Sequence, residues 1–123
     1  MERVTGIGGV FIRSPRPEEL RAWYSDNLGL DVDAEWGGTV FTSTMGETLT
    51  WAVFPGDTEY FGSRSQQAMV NYRVRDLDAM LAQLRGAGVT VDPEVQELEY
   101  GRFGWATDPD GNRFELFEPA PGH

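Results

Sequence analysis

Apolar and polar positions alternate along the chain with two periods, that of a strand and that of a helix. Gly9 to Arg13 reads as a short strand, followed by a proline-rich corner at Ser14-Pro15-Arg16-Pro17. Leu20, Trp23, Tyr24 and Leu28 then fall on one helical stripe, with Pro17 suited to the first turn and Gly29 to the end. About sixty residues later the plan returns. Met69 to Val74 reads as a strand, and Asp76 suits an N-cap. Leu77, Met80, Leu81 and Leu84 form the second stripe, closed by Gly86 and Gly88. The runs after the two helices match: Gly29-Leu30-Asp31-Val32-Asp33 and Gly88-Val89-Thr90-Val91-Asp92.

Each half then supplies two more strand-like runs. In the first they are Gly38 to Thr44 and Thr48 to Phe54, joined by a turn at Met45-Gly46-Glu47. In the second they are Phe103 to Thr107 and Arg113 to Glu118, joined by Asp108-Pro109-Asp110-Gly111-Asn112. The halves close alike, Trp51 to Pro55 and Glu115 to Pro119. The pattern predicts an α+β chain of two tandem βαβββ modules within one domain, residues 1–123. Module 1 spans about 5–57 and module 2 about 67–119, with a loop around Gly56 to Ser65 between them. Alternation along the strands fits sheets with one face on a helix and the other face elsewhere.

Composition narrows the chemistry. A chain of 123 residues buries about two-thirds of its unfolded surface, enough for a core without staples. No cysteine is present, which excludes disulfides, thiolate catalysis and cysteine metal sites. The single histidine is His123, the last residue, where an internal imidazole base or a histidine metal cage cannot easily be built. All ten basic residues are arginine, so lysine Schiff-base and P-loop chemistry are excluded. A formal charge of −10 argues against nucleic acid and anionic membrane as partners. There is no apolar run long enough to span a bilayer and no visible signal peptide, so a cytoplasmic location is expected.

Three motifs carry a resemblance. They are Trp23-Tyr24 with Asn27-Leu28-Gly29-Leu30, Val74-Arg75-Asp76-Leu77-Asp78, and Asp108 to Leu116 before the last strand. Together with the doubled βαβββ plan, they make essentially the whole chain resemble the vicinal oxygen chelate superfamily. That superfamily includes glyoxalase I, bleomycin-resistance proteins, extradiol dioxygenases and methylmalonyl-CoA epimerase. The resemblance implies a curved, partly open sheet whose cup holds a small-molecule ligand, and a homodimer. In metal-dependent members it also implies ligands from the first and last strands of each module. Aligning the repeats puts those places at Gly9, Trp51, Met69 and Glu115. One carboxylate among four does not build a divalent-ion site, so no metal and no cofactor is expected. Asp108 to Asn112 looks like the start of a calcium loop, but the twelfth position, which needs glutamate, is Pro119. A hairpin turn is the better reading.

Period-two geometry proposes the cup's wall. Phe11, Arg13, Trp51, Met69, Asn71, Arg73 and Phe117 are the candidate ligand-binding residues, with Leu49, Val53 and Arg113 on the same expected faces. Glu115 is the candidate catalytic residue, because a carboxylate in an apolar cup has its pKa raised and can act as acid or base. The bland alternative is that Glu115 pairs with Arg73 or Arg13, or takes a hydrogen bond from Asn71. Tyr60 and Phe61, and Tyr100, Arg102 and Phe103, are candidate lid residues. The leading functional expectation is metal-independent binding of a small, partly aromatic molecule. The alternatives are a metal-independent isomerase, epimerase or lyase acting through Glu115, and an interaction protein whose cup has collapsed around Trp51 and Met69.

Overall fold

The computed structural model describes residues 1–44 and 46–122; Met45 of the expected turn and His123 lie outside the described residues. Among the described residues ten elements follow in order: β1 (Val4–Ser14), α1 (Pro17–Leu28), β2 (Gly38–Thr42), β3 (Thr48–Pro55), β4 (Ala68–Val74), α2 (Leu77–Gly86), β5 (Thr90–Val91), β6 (Gln96–Leu98), β7 (Gly101–Thr107) and β8 (Arg113–Pro119). The architecture is α+β with mixed sheet and βαβββ-like modules. The chain forms two compact units: Gly9–Met69, and Met1–Gly8 together with the chain from Val70 onward.

In the Gly9–Met69 unit the strand order is β2-β3-β1, with β2 antiparallel and β1 parallel to β3. Pro17 opens α1, where it gives up no hydrogen bond, and Glu18 and Glu19 in the first turn complement the helix dipole. Gly29 ends it in the left-handed conformation, φ 68°, and its N–H reaches the Ser25 carbonyl. No residue of α1 is fully buried, and Trp23 and Leu28 of the expected stripe are exposed. The helix is held by Tyr24, edge-on to Trp51 at 4.8 Å, and by Arg21, which donates to the Val53 carbonyl at 2.5 Å. The run Gly29 to Asp33 forms no strand here. Asp33 instead turns the chain: its carboxylate accepts from the Glu35 N–H and its own N–H donates to the Gly38 carbonyl.

In the second unit the order is β4-β8-β7-β5, with β6 also on β7. β4 and β8 are parallel, and β7–β8 is the hairpin that the Asp108–Asn112 turn predicts. The Asp108 carboxylate accepts from the backbone N–H groups of Asp110 and Asn112. Asp76 caps α2 by accepting from the Ala79 N–H, and Glu118 accepts from the Leu77 N–H. Leu77, Met80 and Leu81 of the helix are buried with Val74 and Leu116, and Tyr72, Leu84, Val91, Val95 and Phe114 pack around them. Each such fully buried side chain contributes about 1.5–3 kcal/mol, so this helix–sheet layer is the unit's main anchor. The N-terminal residues join it through the Glu2 N–H, which donates to Gln83 at 2.8 Å, and through Thr5, whose hydroxyl donates to the Arg73 carbonyl.

Candidate functional site

Side chains alternate across the sheet, so the face opposite α2 is set by register. Asn71 lies beside Glu115 and Arg73 beside Phe117 across β4–β8; Trp105 lies beside Glu115 and Phe103 beside Phe117 across β7–β8. These six side chains share one face, while Tyr72, Val74, Phe114 and Leu116 turn to α2.

Glu115 sits at the centre of that face and is only 2% exposed. Its Oε1 accepts from Asn71 Nδ2 at 2.5 Å, and its Oε2 accepts from Trp105 Nε1 at 2.9 Å. Each carboxylate oxygen therefore has a neutral donor from a neighbouring strand. Buried polar groups require such partners, because an unmet one costs about 1–3 kcal/mol. Apolar rings enclose the group. Phe103 and Phe117 stack with centroids 4.7 Å apart, and Tyr100 meets Phe103 edge-on at 5.8 Å. The Arg73 guanidinium lies over Phe117 at 5.5 Å and that of Arg113 over Trp105 at 5.4 Å. Arg113 also pairs with Asp92 at 3.2 Å. The Asp92 carboxyl is held below its ordinary pKa, first by the Glu94 N–H and then, against the cost of burial, by Arg113.

Asn71 is committed by its Nδ2, and its Oδ1 is buried with no hydrogen-bond partner among the described residues. That oxygen points at Gly8: a Cβ there would stand 2.3 Å from it and 3.2 Å from Arg73 Cγ. Gly8 is thus the floor on which the Asn71–Glu115 pair rests. Neither Gly8 nor Trp105 stands among the sequence candidates. Trp105 was legible, since pairing outward from the Asp108–Asn112 turn puts it opposite Glu115.

The other candidates lie in the Gly9–Met69 unit. Arg13, 7% exposed, spends its guanidinium on backbone carbonyls: Nε to Gln66, Nη1 to Gly56 and Thr58, and Nη2 to Ser63, at 2.9–3.2 Å. It also lies over the fully buried Phe61 ring at 4.8 Å. Phe11 packs on Phe54, which stacks with Tyr60 and touches Phe61. The expected lid aromatics Tyr60 and Phe61 therefore pack on this unit's own sheet. Arg102 of the second candidate group is bound to Glu97 and Asp78. Met69 is completely buried.

Trp51 is a correction. The register pairs Val10 with Trp51 and Phe11 with Ala52. Trp51 therefore shares the face of Val10 and packs against Tyr24 of α1, opposite to Phe11 and Arg13. Leu49 and Val53 go with it. The two closing prolines do not mark equivalent positions: Glu115 stands beside Asn71, whereas Ala52 stands beside Phe11. A one-residue slip moves every side chain to the other face.

A divalent ion of the kind used by metal-dependent relatives does not fit these donors. Gly9 has no side chain, Met69 offers a soft thioether, Ala52 offers nothing, and Glu115 already accepts at both oxygens. No group of three or more His, Cys, Asp or Glu side chains able to hold an ion occurs among the described residues. A surface cleft of about 450 Å3 is present in the Gly9–Met69 unit, lined by residues that include Pro15, Pro17, Pro55, Asp57 and Arg64. None of its lining residues belongs to the Glu115 cluster.

The profile of the Glyoxalase/Bleomycin resistance protein/Dioxygenase superfamily matches residues 6–116. Among solved structures, methylmalonyl-CoA epimerase from Mycobacterium tuberculosis is similar at 24% identity and a TM-score of 0.65, over 96% of this chain and 90% of that one. A methylmalonyl-CoA epimerase in complex with methylmalonyl-CoA and NH4+ is similar at 17% identity and a TM-score of 0.70, over 98% of this chain and 99% of that one. A superfamily member from Vibrio splendidus 12B01 is similar at 12% identity and a TM-score of 0.61, over 96% and 99%. No curated protein matches the chain.

Proposed function

The chain belongs to the Glyoxalase/Bleomycin resistance protein/Dioxygenase superfamily, and within it we propose a homodimeric protein that binds a small, partly aromatic molecule in an apolar cup without a metal. One observation carries this reading. Glu115 is buried with both oxygens occupied by Asn71 and Trp105, next to a stacked pair of phenylalanines. A carboxylate in that state orders the surrounding side chains. An acid–base role through the same residue would require an oxygen to be released to substrate, with Asn71 or Arg73 stabilising the developing negative charge. Apolar walls with a few fixed polar points are the usual make-up of a small-molecule site. On this reading the contacts to ligand come from Phe117, Asn71 and Arg73, together with Phe103, while Glu115 holds Asn71 and Trp105 in place.

The test is a binding screen on wild type and Glu115→Gln, read by indole fluorescence and thermal shift. The probes are planar aromatic compounds and methylmalonyl-CoA, the compound held by one similar structure. A probe present at a hundred times its dissociation constant adds about 2.7 kcal/mol of stability. Saturable binding of an aromatic probe that survives in Glu115→Gln supports the reading. Proton exchange at a bound thioester's α-carbon, lost in Glu115→Gln, would overturn it in favour of acid–base chemistry. Absence of binding by any probe would overturn it in favour of a collapsed cup.

A further inference from the structure

β2 is an edge strand without the usual protection. Among the described residues it pairs only with β3, and its sequence Gly38–Thr42 contains no charge and no proline. Its outward backbone groups can be identified from their neighbours. The Val53 N–H donates to the Gly37 carbonyl, which faces β3, and the Asp33 N–H donates to the Gly38 carbonyl, which faces away. Alternation then turns Val40 and Thr42 outward, and among the described residues neither has a backbone partner on that side.

Apolar side chains flank this edge on both faces. Phe41, 46% exposed, shares the Trp51 face. Val40, 48% exposed, shares the opposite face with Trp36, whose ring lies against Gly38 and which is 47% exposed. With aromatic side chains of about 150–250 Å2 each, the half-exposed rings of Phe41 and Trp36 leave roughly 200 Å2 of apolar surface in water. A standard interface needs about 800 Å2 per partner, a little over half of it apolar. With Val40 added, the strip supplies a little over half of that apolar share, enough for the centre of such a contact. The strand itself carries no charge on a molecule of formal charge −10, so pairing its edge with a second copy brings no like charges together within the strand.

We infer that β2 is a self-association surface on which a second copy of this chain adds its own β2 antiparallel. A two-fold axis through Phe41 makes the contact self-complementary. Val40 of each copy then exchanges two hydrogen bonds with Thr42 of the other, four in all, and the two Phe41 rings meet as a close non-hydrogen-bonded pair. Glu35 and Glu47 flank the strip, so the dimer strengthens as salt screens them. The inference rests on the dimer reading above and is independent of the ligand.

Sedimentation velocity over a concentration series, with amide hydrogen exchange alongside, tests it. Wild type is expected to dimerise, more tightly at higher salt, with protection of the Val40 and Thr42 amides growing with concentration. Phe41→Glu puts two like charges on the axis and is expected to raise the dissociation constant about 100-fold. Phe41→Thr keeps the strand propensity and is expected to weaken the dimer about tenfold, which covers the case in which the glutamate variant fails to fold. A dimer insensitive to both variants, or one without protection at Val40 and Thr42, overturns this edge while leaving a dimer in place. A wild-type monomer throughout overturns both.

Discussion

Gly8→Ala asks the sharpest question of the Glu115 cluster, because it adds one carbon and alters nothing else locally. Gly8 has no positive φ, so the backbone accepts alanine without strain. The new Cβ would stand 2.3 Å from Asn71 Oδ1, closer than real Cβ contacts come. Asn71 must therefore move, and with it the 2.5 Å bond from its Nδ2 to Glu115. Overpacking a tight site costs about 1–3 kcal/mol, and losing a hydrogen bond to a carboxylate costs about 1.5–3 kcal/mol. The two overlap, because relieving the first causes the second, so a total of about 2–4 kcal/mol is expected. For a chain of this length that lowers Tm by roughly 8–15 °C. Urea unfolding of Gly8→Ala, Asn71→Ala and the double variant gives the cycle. Asn71→Ala alone is expected to cost about 2–3 kcal/mol, leaving Glu115 short of a donor. The double variant should cost about the same, since the oxygen that clashes is gone. Gly86→Ala, where a Cβ meets open space, serves as the control and should be neutral or slightly stabilising. A Gly8→Ala loss below about 0.5 kcal/mol, or strict additivity in the cycle, would refute the account of Gly8 as the floor of this site.

Two further outcomes follow from the charges. Arg13→Gln strips the carbonyls of Gly56, Thr58, Ser63 and Gln66 of a shared donor, so a loss of about 3 kcal/mol is expected, with faster proteolysis and hydrogen exchange confined first to residues 56–66; Arg13→Lys should rescue little, since an ammonium cannot span the four acceptors, and full rescue would show that charge alone matters. Asp92 and Asp108 have folded pKa values depressed below 3.8, chiefly by the backbone N–H groups of Glu94 and Asn112 respectively; their stabilisation is fully present above the unfolded value near 3.8 and is lost as pH falls through the folded values, so carboxyl NMR titration should place both midpoints below 3.8, and midpoints at or above it would contradict the turn geometry.

The sequence made the second half far more legible than the first. Around β4, α2, β7 and β8, strand alternation, the Asp76 cap and the Asp108–Asn112 turn all specify one arrangement, and pairing outward from that turn leaves no freedom of register. Glu115, Asn71, Arg73 and Phe117 accordingly share the face expected of them. In the first half only the two closing prolines speak to the register of β3 on β1. Pro55 and Pro119 end their strands at positions differing by one relative to β1 and β4, and that single step carried Trp51 to the wrong face. The period that marks the helical stripe of α1 cannot say how much of it a neighbour covers; Tyr24 is half-buried while Trp23 is exposed. Arg13 was unreadable for another reason. Its partners are backbone carbonyls of a loop more than forty residues away, and carbonyls leave no mark in a sequence.

Arg13 and Arg73 stand at equivalent places in the repeat, and each lies over a phenylalanine ring, yet their surroundings differ in kind. Around Arg13, the Phe11 and Phe54 face is covered by the unit's own loop, with Tyr60 stacked on Phe54 and Phe61 fully buried beneath the guanidinium. Around Arg73, Phe117 stacks on Phe103 of the next strand, Tyr100 of the turn before β7 meets Phe103 edge-on, and a carboxylate with two neutral donors lies beside them. A face filled by its own chain has its contacts satisfied before any ligand arrives, and displacing that filling would cost the four Arg13 hydrogen bonds. The Phe103–Phe117 pair of the second half is held together by ring stacking, worth about 0.5–1.5 kcal/mol, so it yields to a ligand ring at smaller cost. Ligand discrimination should therefore reside in residues of β4, β7 and β8, with Asn71 supplying the polar point and Phe103 and Phe117 the ring surface. Substitutions at Phe11 or Phe61 should alter stability much more than ligand preference.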